Sequence, residues 1–209
     1  MPASLQKDKN KHQARTEETQ AKILAAAEAT FAEQGFEMTQ LEEVAARAGY
    51  TRGAIYAHYA SKEDLFLALV EHRMIGKFTV IRQVVEAEPV LEKRPEVFKQ
   101  WLSSQLGDST WVTLMLEFKL YALRRPSSRA KLQYMYDLLL LQTSKNDFVE
   151  VLFGSDLDKA KRDAIERRLA VMGAILSAVI LESHFRPKLL PQQHLPSLFE
   201  DLYEALIHA

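Results

Sequence analysis

Residues 41–66 read LEEVAARAGYTRGAIYAHYASKEDLF, and this stretch decides the fold. Leu41, Val44, Ala45 and Ala48 recur at the three- and four-residue spacing of one helix face and stop at Gly49, a residue that takes positive φ at no steric cost. After Thr51, a residue suited to capping a helix, Ala54, Ile55 and Tyr59 repeat that spacing. Two short helices joined by a tight glycine turn form a helix-turn-helix, whose second helix enters the major groove of DNA and offers its N-terminal residues to base edges. With Ala54, Ile55 and Tyr59 turned inward onto Leu41, Val44 and Ala45, the outward residues are Arg52, Tyr56 and His58. An arginine there can donate two hydrogen bonds to a guanine edge, whereas Tyr56, His58 and Lys62 suit phosphates. Gly53 and Ala57 are small enough to let the backbone approach a groove closely.

Working outward, Ile23, Ala26, Ala27, Thr30 and Phe31 mark a first helix over 16–34, with Thr16 as its cap and Gly35 as its stop. Thr39 and Glu42 match the capping-box pattern T-x-x-E at the head of a second helix over 40–47. The third helix runs from Thr51 to Tyr59, and Ser61 with Asp64 forms a second capping box that opens a long fourth helix to Ala87, stopped by Pro89. Further on, Gly107, Pro126, Gly154, Pro187, Pro191 and Pro196 punctuate helices over 94–106, 109–125, 127–153, 156–186 and 192–208. Pro196 leaves the start of the last one open, because an interior proline would kink it. No segment reads as a strand. The expectation is an all-α chain: a flexible basic arm over 1–15 (Lys7, Lys9, Lys11 and Arg15, opposed by Asp8), a three-helix DNA-binding domain over 16–62, and a larger helical domain over 63–209.

Composition narrows the function classes. Of 209 residues, 47% are hydrophobic, ample for a core, and the net charge of −1 gives no global attraction to a polyanion, so DNA binding must rest on local charge. The absence of cysteine excludes disulfides, thiolate catalysis and cysteine-ligated zinc. No stretch reaches the ~18 apolar residues of a membrane span, and the N-terminus lacks an apolar signal region, so a cytoplasmic protein with no membrane partner is expected. The motifs H-E-x-x-H, G-x-S-x-G, the phosphate-binding glycine loop and G-x-G-x-x-G are missing, and none of the six histidines follows a glutamate by three positions as a di-iron bundle requires. Neither an enzyme nor a cofactor is expected.

Two stretches, ILAAAEATFAEQGFEMTQLEEVAARAG at 23–49 and TRGAIYAHYASKEDLF at 51–66, together resemble the TetR/AcrR family of transcriptional regulators. The resemblance covers residues 16–70. It implies that Arg52, Gly53 and Ala57 lie where the family reads bases, and that Thr39, Tyr56, His58 and Lys62 lie where it holds the DNA backbone; Thr51, as cap of the reading helix, joins the set. It also implies a homodimer on a palindromic operator, released by a small effector, most often as a repressor. Met38 and Tyr50 depart from the family pattern, which has a threonine pair before the second helix and a valine in the turn.

The remaining residues need a second role. Trp101, Trp111, Glu117, Phe118, Tyr121, Tyr134 and His184 are the candidates for a pocket that takes a largely apolar or aromatic effector, the alternative being a dry aromatic core. Leu169, Met172, Leu176 and Val179 on one helix and Leu198, Phe199, Leu202 and Leu206 on the next are the candidates for a four-helix bundle across a two-fold axis, the alternative being burial of both stripes within one chain. A constitutive or architectural DNA-binding protein without an effector is the rival reading, although such proteins are usually strongly basic.

Overall fold

The computed structural model describes the backbone of residues 3–144 and 148–207 and the side chains of 15–136 and 148–206. Among these residues every regular element is helical. The first helix, α1 (Ala3–Met38), begins inside the segment expected to be a flexible arm. No glycine or proline interrupts residues 3–34, and lysine, glutamine and alanine are good helix formers, so nothing local stops the helix from reaching back that far. The side chains of Lys7, Lys9 and Lys11 lie outside the described residues. Near its other end α1 is broken at Gly35, whose φ of 78° and ψ of 170° are not helical.

The chain forms two compact units. The first comprises residues 1–73 and 117–135, the second 74–116 and 136–209. The boundary expected between 62 and 63 therefore falls inside the first unit. That unit holds α1, α2 (Leu41–Ala48), α3 (Arg52–His58), the start of α4 (Lys62–Glu86), the end of α6 (Ser109–Leu123) and the start of α7 (Pro126–Ser144). Its core joins Ile23, Ala27 and Phe31 of α1 to Leu41, Val44 and Ala45 of α2, Ile55 of α3, and Leu65, Phe66 and Leu69 of α4. Phe36 is the hub of an aromatic cluster, with ring centroids 5.1 Å from Phe66, 4.8 Å from Phe118 and 4.6 Å from Tyr121. Phe36, Phe66 and Phe118 are fully buried; each contributes about 1.5–3 kcal/mol by leaving water, and the edge-to-face pairs add about 0.5–1.5 kcal/mol apiece. This burial is why residues beyond 62 and those around 118 belong to the first unit.

The second unit is built on the rest of α4, α5 (Arg94–Ser104), α8 (Phe148–Phe153), α9 (Lys159–Phe185) and α10 (Leu195–Ile207). Ile81, Val85, Phe98, Leu152, Met172, Ile180, Leu195, Phe199 and Tyr203 form its core. Arg94 staples a corner of it, donating from Nε to the Glu88 carbonyl at 3.0 Å and from Nη1 to the Val151 carbonyl at 2.9 Å. Lys99 lies between Glu96 and Glu204 at 2.6 and 2.7 Å, and the Tyr203 hydroxyl donates to the Pro95 carbonyl at 3.1 Å. The helix expected over 127–153 is two helices, α7 and α8, with 145–147 outside the described residues. Pro196 kinks nothing: a 3-10 turn (Gln192–His194) precedes α10, and the proline falls in its first turn, where the missing N–H has no helical partner to lose.

Candidate nucleic-acid interface

The turn between α2 and α3 is closed as the sequence requires. Gly49 is left-handed, with φ of 75° and ψ of 26°. Its N–H donates to the Ala46 carbonyl at 3.1 Å, and the N–H of Tyr50 donates to the Ala45 carbonyl at 2.9 Å, which satisfies carbonyls that α2 leaves open. Tyr50, where the family pattern has valine, turns its hydroxyl to the Thr19 hydroxyl at 3.4 Å. Thr51 caps α3 by accepting the Ala54 N–H at 3.3 Å. Ile55 and Tyr59 are buried and hold α3 down; burial also pushes the Tyr59 hydroxyl pKa up.

The outward face of α3 carries Arg52, Gly53, Tyr56 and Ala57, all exposed, with His58 half-buried at its end. A β-carbon at Gly53 would have only the Thr51 hydroxyl within reach, at 3.9 Å, so the chain's own packing does not demand glycine there. Arg52 is held from two sides: its Nε is 2.8 Å from Glu42 Oε1 on α2, and its guanidinium carbon is 5.3 Å from the centre of the Tyr56 ring.

Two expected phosphate contacts are placed differently. Thr39 is only 1% exposed, and its hydroxyl donates to the Gly35 carbonyl at 2.7 Å, which leaves the side chain no proton for a phosphate. The capping box is not formed either. Gln40, not Thr39, is the N-cap of α2, and Glu42 turns to Arg52. The break at Gly35 brings its carbonyl within reach of Thr39, and this tertiary geometry overrides the local T-x-x-E pattern. Lys62 donates from Nζ to the Glu37 carbonyl at 2.6 Å and stands 4.9 Å from the Phe36 ring centre, with two ammonium protons left for a phosphate. Burial draws its pKa down, against the carboxylates of Glu63, Glu37 and Glu117. Ser61 and Asp64 do form the expected box, the Asp64 N–H donating to Ser61 at 3.1 Å and the Ser61 hydroxyl to Asp64 at 2.8 Å.

The effector candidates are distributed over both units. Glu117, Phe118, Tyr121 and Tyr134 belong to the first unit, and Trp101, Trp111 and His184 to the second. Glu117 accepts the Glu37 N–H at 3.3 Å, Phe118 is buried against Phe36 and Phe66, and the Tyr121 hydroxyl donates to Glu63. All three support the turn at the end of α1. Tyr134 is 64% exposed. Trp101 packs on the core of the second unit, Trp111 is half-buried in the first turn of α6, and exposed His184 bonds through Nδ1 to the Ile180 carbonyl of its own helix.

The dimer candidates differ in their burial within the chain. Met172 and Phe199 are buried within the chain, and Leu169, Leu176, Val179 and Leu206 pack partly buried against the same core. Leu198 and Leu202 are half-buried. The stripe that α9 leaves outward is a different one: Ala170, Val171, Ala174, Ala178 and Phe185, with Val171 49% and Phe185 74% exposed. Among the described residues no helix is long and apolar enough to cross a membrane, and no group of acidic or histidine side chains is placed to hold a metal.

The family model for bacterial regulatory proteins of the tetR family matches residues 23–69, the span of the turn and its supporting helices. The chain is 27% identical over 128 residues to the HTH-type transcriptional regulator YfiR of Bacillus subtilis (strain 168), covering 60% of this chain and 62% of that one. It is 47% identical over 53 residues to the HTH-type transcriptional repressor BepR of Brucella suis biovar 1 (strain 1330), covering 25% of each. Both alignments span less than two thirds of the relative's own length. In fold it is similar to a protein from Mesorhizobium loti MAFF303099 described as a TetR-family transcriptional regulator, with a TM-score of 0.67 at 20% identity over 93% of this chain and 97% of that one.

Proposed function

Because this chain belongs to the tetR family of bacterial regulatory proteins, we propose that it is a ligand-responsive repressor that binds a palindromic operator as a two-fold dimer and releases it when a small apolar or aromatic effector binds. The observation that carries this reading is the exposed face of α3, where Arg52, Gly53, Tyr56 and Ala57 stand outward on a helix pinned by Ile55 and Tyr59. Its small residues admit the backbone to a groove, and its arginine has the fork that matches guanine O6 and N7. The rigid turn fixes the helix as a reading head.

Two-fold recognition requires a second copy, and the outward stripe of α9 supplies an isologous face. Ala170, Ala174 and Ala178 are small and let two helices approach closely, while Val171 and Phe185 are apolar groups that water solvates poorly. Leu198 and Leu202 of α10, half-buried, keep apolar surface for the same partner. The effector belongs to the second unit, with Trp101 and Trp111 as its aromatic walls, and acts on the head through α4, which is continuous from Lys62 to Glu86. Effector and operator then oppose each other, and linkage makes the antagonism reciprocal.

Selection from a library of randomised duplexes by the full-length protein tests the DNA reading. The expected product is a dyad-symmetric consensus with half-sites one helical turn apart, ~34 Å. Failure to enrich any sequence over the starting library at physiological salt would contradict it.

A further inference from the structure

Arg52 and Glu42 form an ion pair whose geometry matters more than its strength. Both side chains are open to water, 68% and 41% exposed, and a pair of that kind stabilises a fold by about 0–1 kcal/mol. The helices they belong to are already joined by Leu41, Val44, Ala45 and Ile55, all buried. The pair is therefore not needed to hold α2 against α3. Its effect is on the arginine. A free arginine side chain samples many rotamers and loses that freedom when it meets a base. Here the Glu42 carboxylate lies on the Nε side of the guanidinium, Oε1 2.8 Å from Nε, and the guanidinium lies beside the Tyr56 ring, its carbon 5.3 Å from the ring centre. With the carboxylate on the Nε side, the two terminal nitrogens form the edge left for the paired acceptors N7 and O6 of guanine.

We infer that Glu42 is a positioning residue that sets the base preference at the position Arg52 reads, by presenting the terminal edge of the guanidinium to the DNA. The inference rests on the reading of α3 as the recognition helix. Glu42 also acts against the wrong target: its carboxylate beside Arg52 disfavours a phosphate at that place, so the arginine is worth more on a guanine edge than on the backbone.

The test uses full-length wild type, Glu42→Ala, Glu42→Gln, Arg52→Ala and the double variant Glu42→Ala/Arg52→Ala, each selecting from the same randomised duplex library, with relative affinities then measured for every single-base change in the wild-type consensus. Thermal unfolding of each variant reports its folding independently. Glu42→Ala is expected to lose about tenfold of the preference for guanine at one symmetric position per half-site and to bind unrelated duplexes more tightly than wild type, with its unfolding temperature unchanged. Glu42→Gln keeps an oxygen that can accept from Nε and is expected to retain most of the preference. In the Arg52→Ala background, Glu42→Ala is expected to change the profile no further. A Glu42→Ala profile identical to wild type would overturn the inference, as would tighter consensus binding with the guanine preference intact, which would make the ion pair a mask over Arg52. A wild type that enriches no sequence would instead overturn the recognition-helix reading, and the inference with it.

Discussion

Glu117 stands over Gly35: its carboxylate accepts the N–H of Glu37 at 3.3 Å and occupies the place a β-carbon on Gly35 would take, 2.8 Å from Oε1. A residue 80 positions from Glu37 in sequence thus closes the turn that ends α1. Gly35→Ala is expected to destabilise the protein. The carboxylate is the far end of a flexible side chain and can swing aside, but φ of 78° with ψ of 170° is a region open essentially to glycine, and forcing alanine into it costs about 1–3 kcal/mol. For a chain of this size each kcal/mol lowers the unfolding temperature by about 2–4 °C. Gly35→Ala/Glu117→Ala should recover little of the loss, since the strain lies in the backbone; full recovery would locate it in the side-chain clash instead.

Acid should act through Asp64. The hydrogen bond from Lys131 is the main cause holding its carboxyl below the ordinary value of 3.8, against the opposing effect of burial and with further help from Ser61. A carboxylate with a lowered folded pKa contributes stability that is complete above its unfolded value and is lost as pH falls through the folded one. Lys131→Met should therefore be less stable than wild type at neutral pH, and the gap should close below pH 3.8. Urea unfolding at neutral pH and in that acid range measures it. The gap should be small, because the Lys131 and Asp64 side chains are 48% and 31% exposed. A gap that persists in acid would assign the effect to lost packing.

The two stripes of α9 should respond in opposite ways. Met172→Ala empties a buried site and is expected to cost about 2–5 kcal/mol of stability while leaving a dimer wherever the protein remains folded. Ala174→Arg, on the outward stripe, is expected to give a folded monomer by light scattering and to lose operator affinity. A dimer that survives Ala174→Arg would place the two-fold contact elsewhere.

Lys62→Ala should show two effects at once. Losing the bond to the Glu37 carbonyl costs stability on the order of 1 kcal/mol. Losing a phosphate contact weakens binding to all duplexes alike and lowers the slope of log affinity against log salt by about one. A lower unfolding temperature with an unchanged slope would leave Lys62 a purely structural role.

Local chemistry was legible wherever it was self-contained. The α2–turn–α3 unit, the positive φ of Gly49, the Thr51 cap and the Ser61–Asp64 box are each set by residues within a few positions of one another, and each is found. The T-x-x-E box at Thr39 failed because its hydroxyl had a nearer acceptor, the carbonyl freed by the break at Gly35. Glu117, Phe118 and Tyr121 were identifiable as an apolar, charged face of one helix, but periodicity does not tell which distant surface covers that face, and here it is the Phe36 turn. On α9 the larger residues Leu169, Met172 and Leu176 fit an interface by pattern and pack on the core of their own unit, while the smaller alanines face outward. Hydrophobicity marks what is buried; it does not say in what. Glu42 fits half of a cap by its spacing from Thr39, but its partner Arg52 lies one helix away.

The proposed reading of sequence by α3 rests on Arg52. Its most direct test is the ratio of dissociation constants for the selected palindrome and a scrambled duplex of the same length and composition, measured at one physiological salt concentration for wild type and Arg52→Ala. The expected wild-type ratio is on the order of 10³ or more, and Arg52→Ala is expected to lose about 1–3 kcal/mol of discrimination at a single base position, with the rest of the consensus still preferred. Equal affinity of the wild type for the two duplexes, or an Arg52→Ala profile that weakens uniformly at every position, would contradict it.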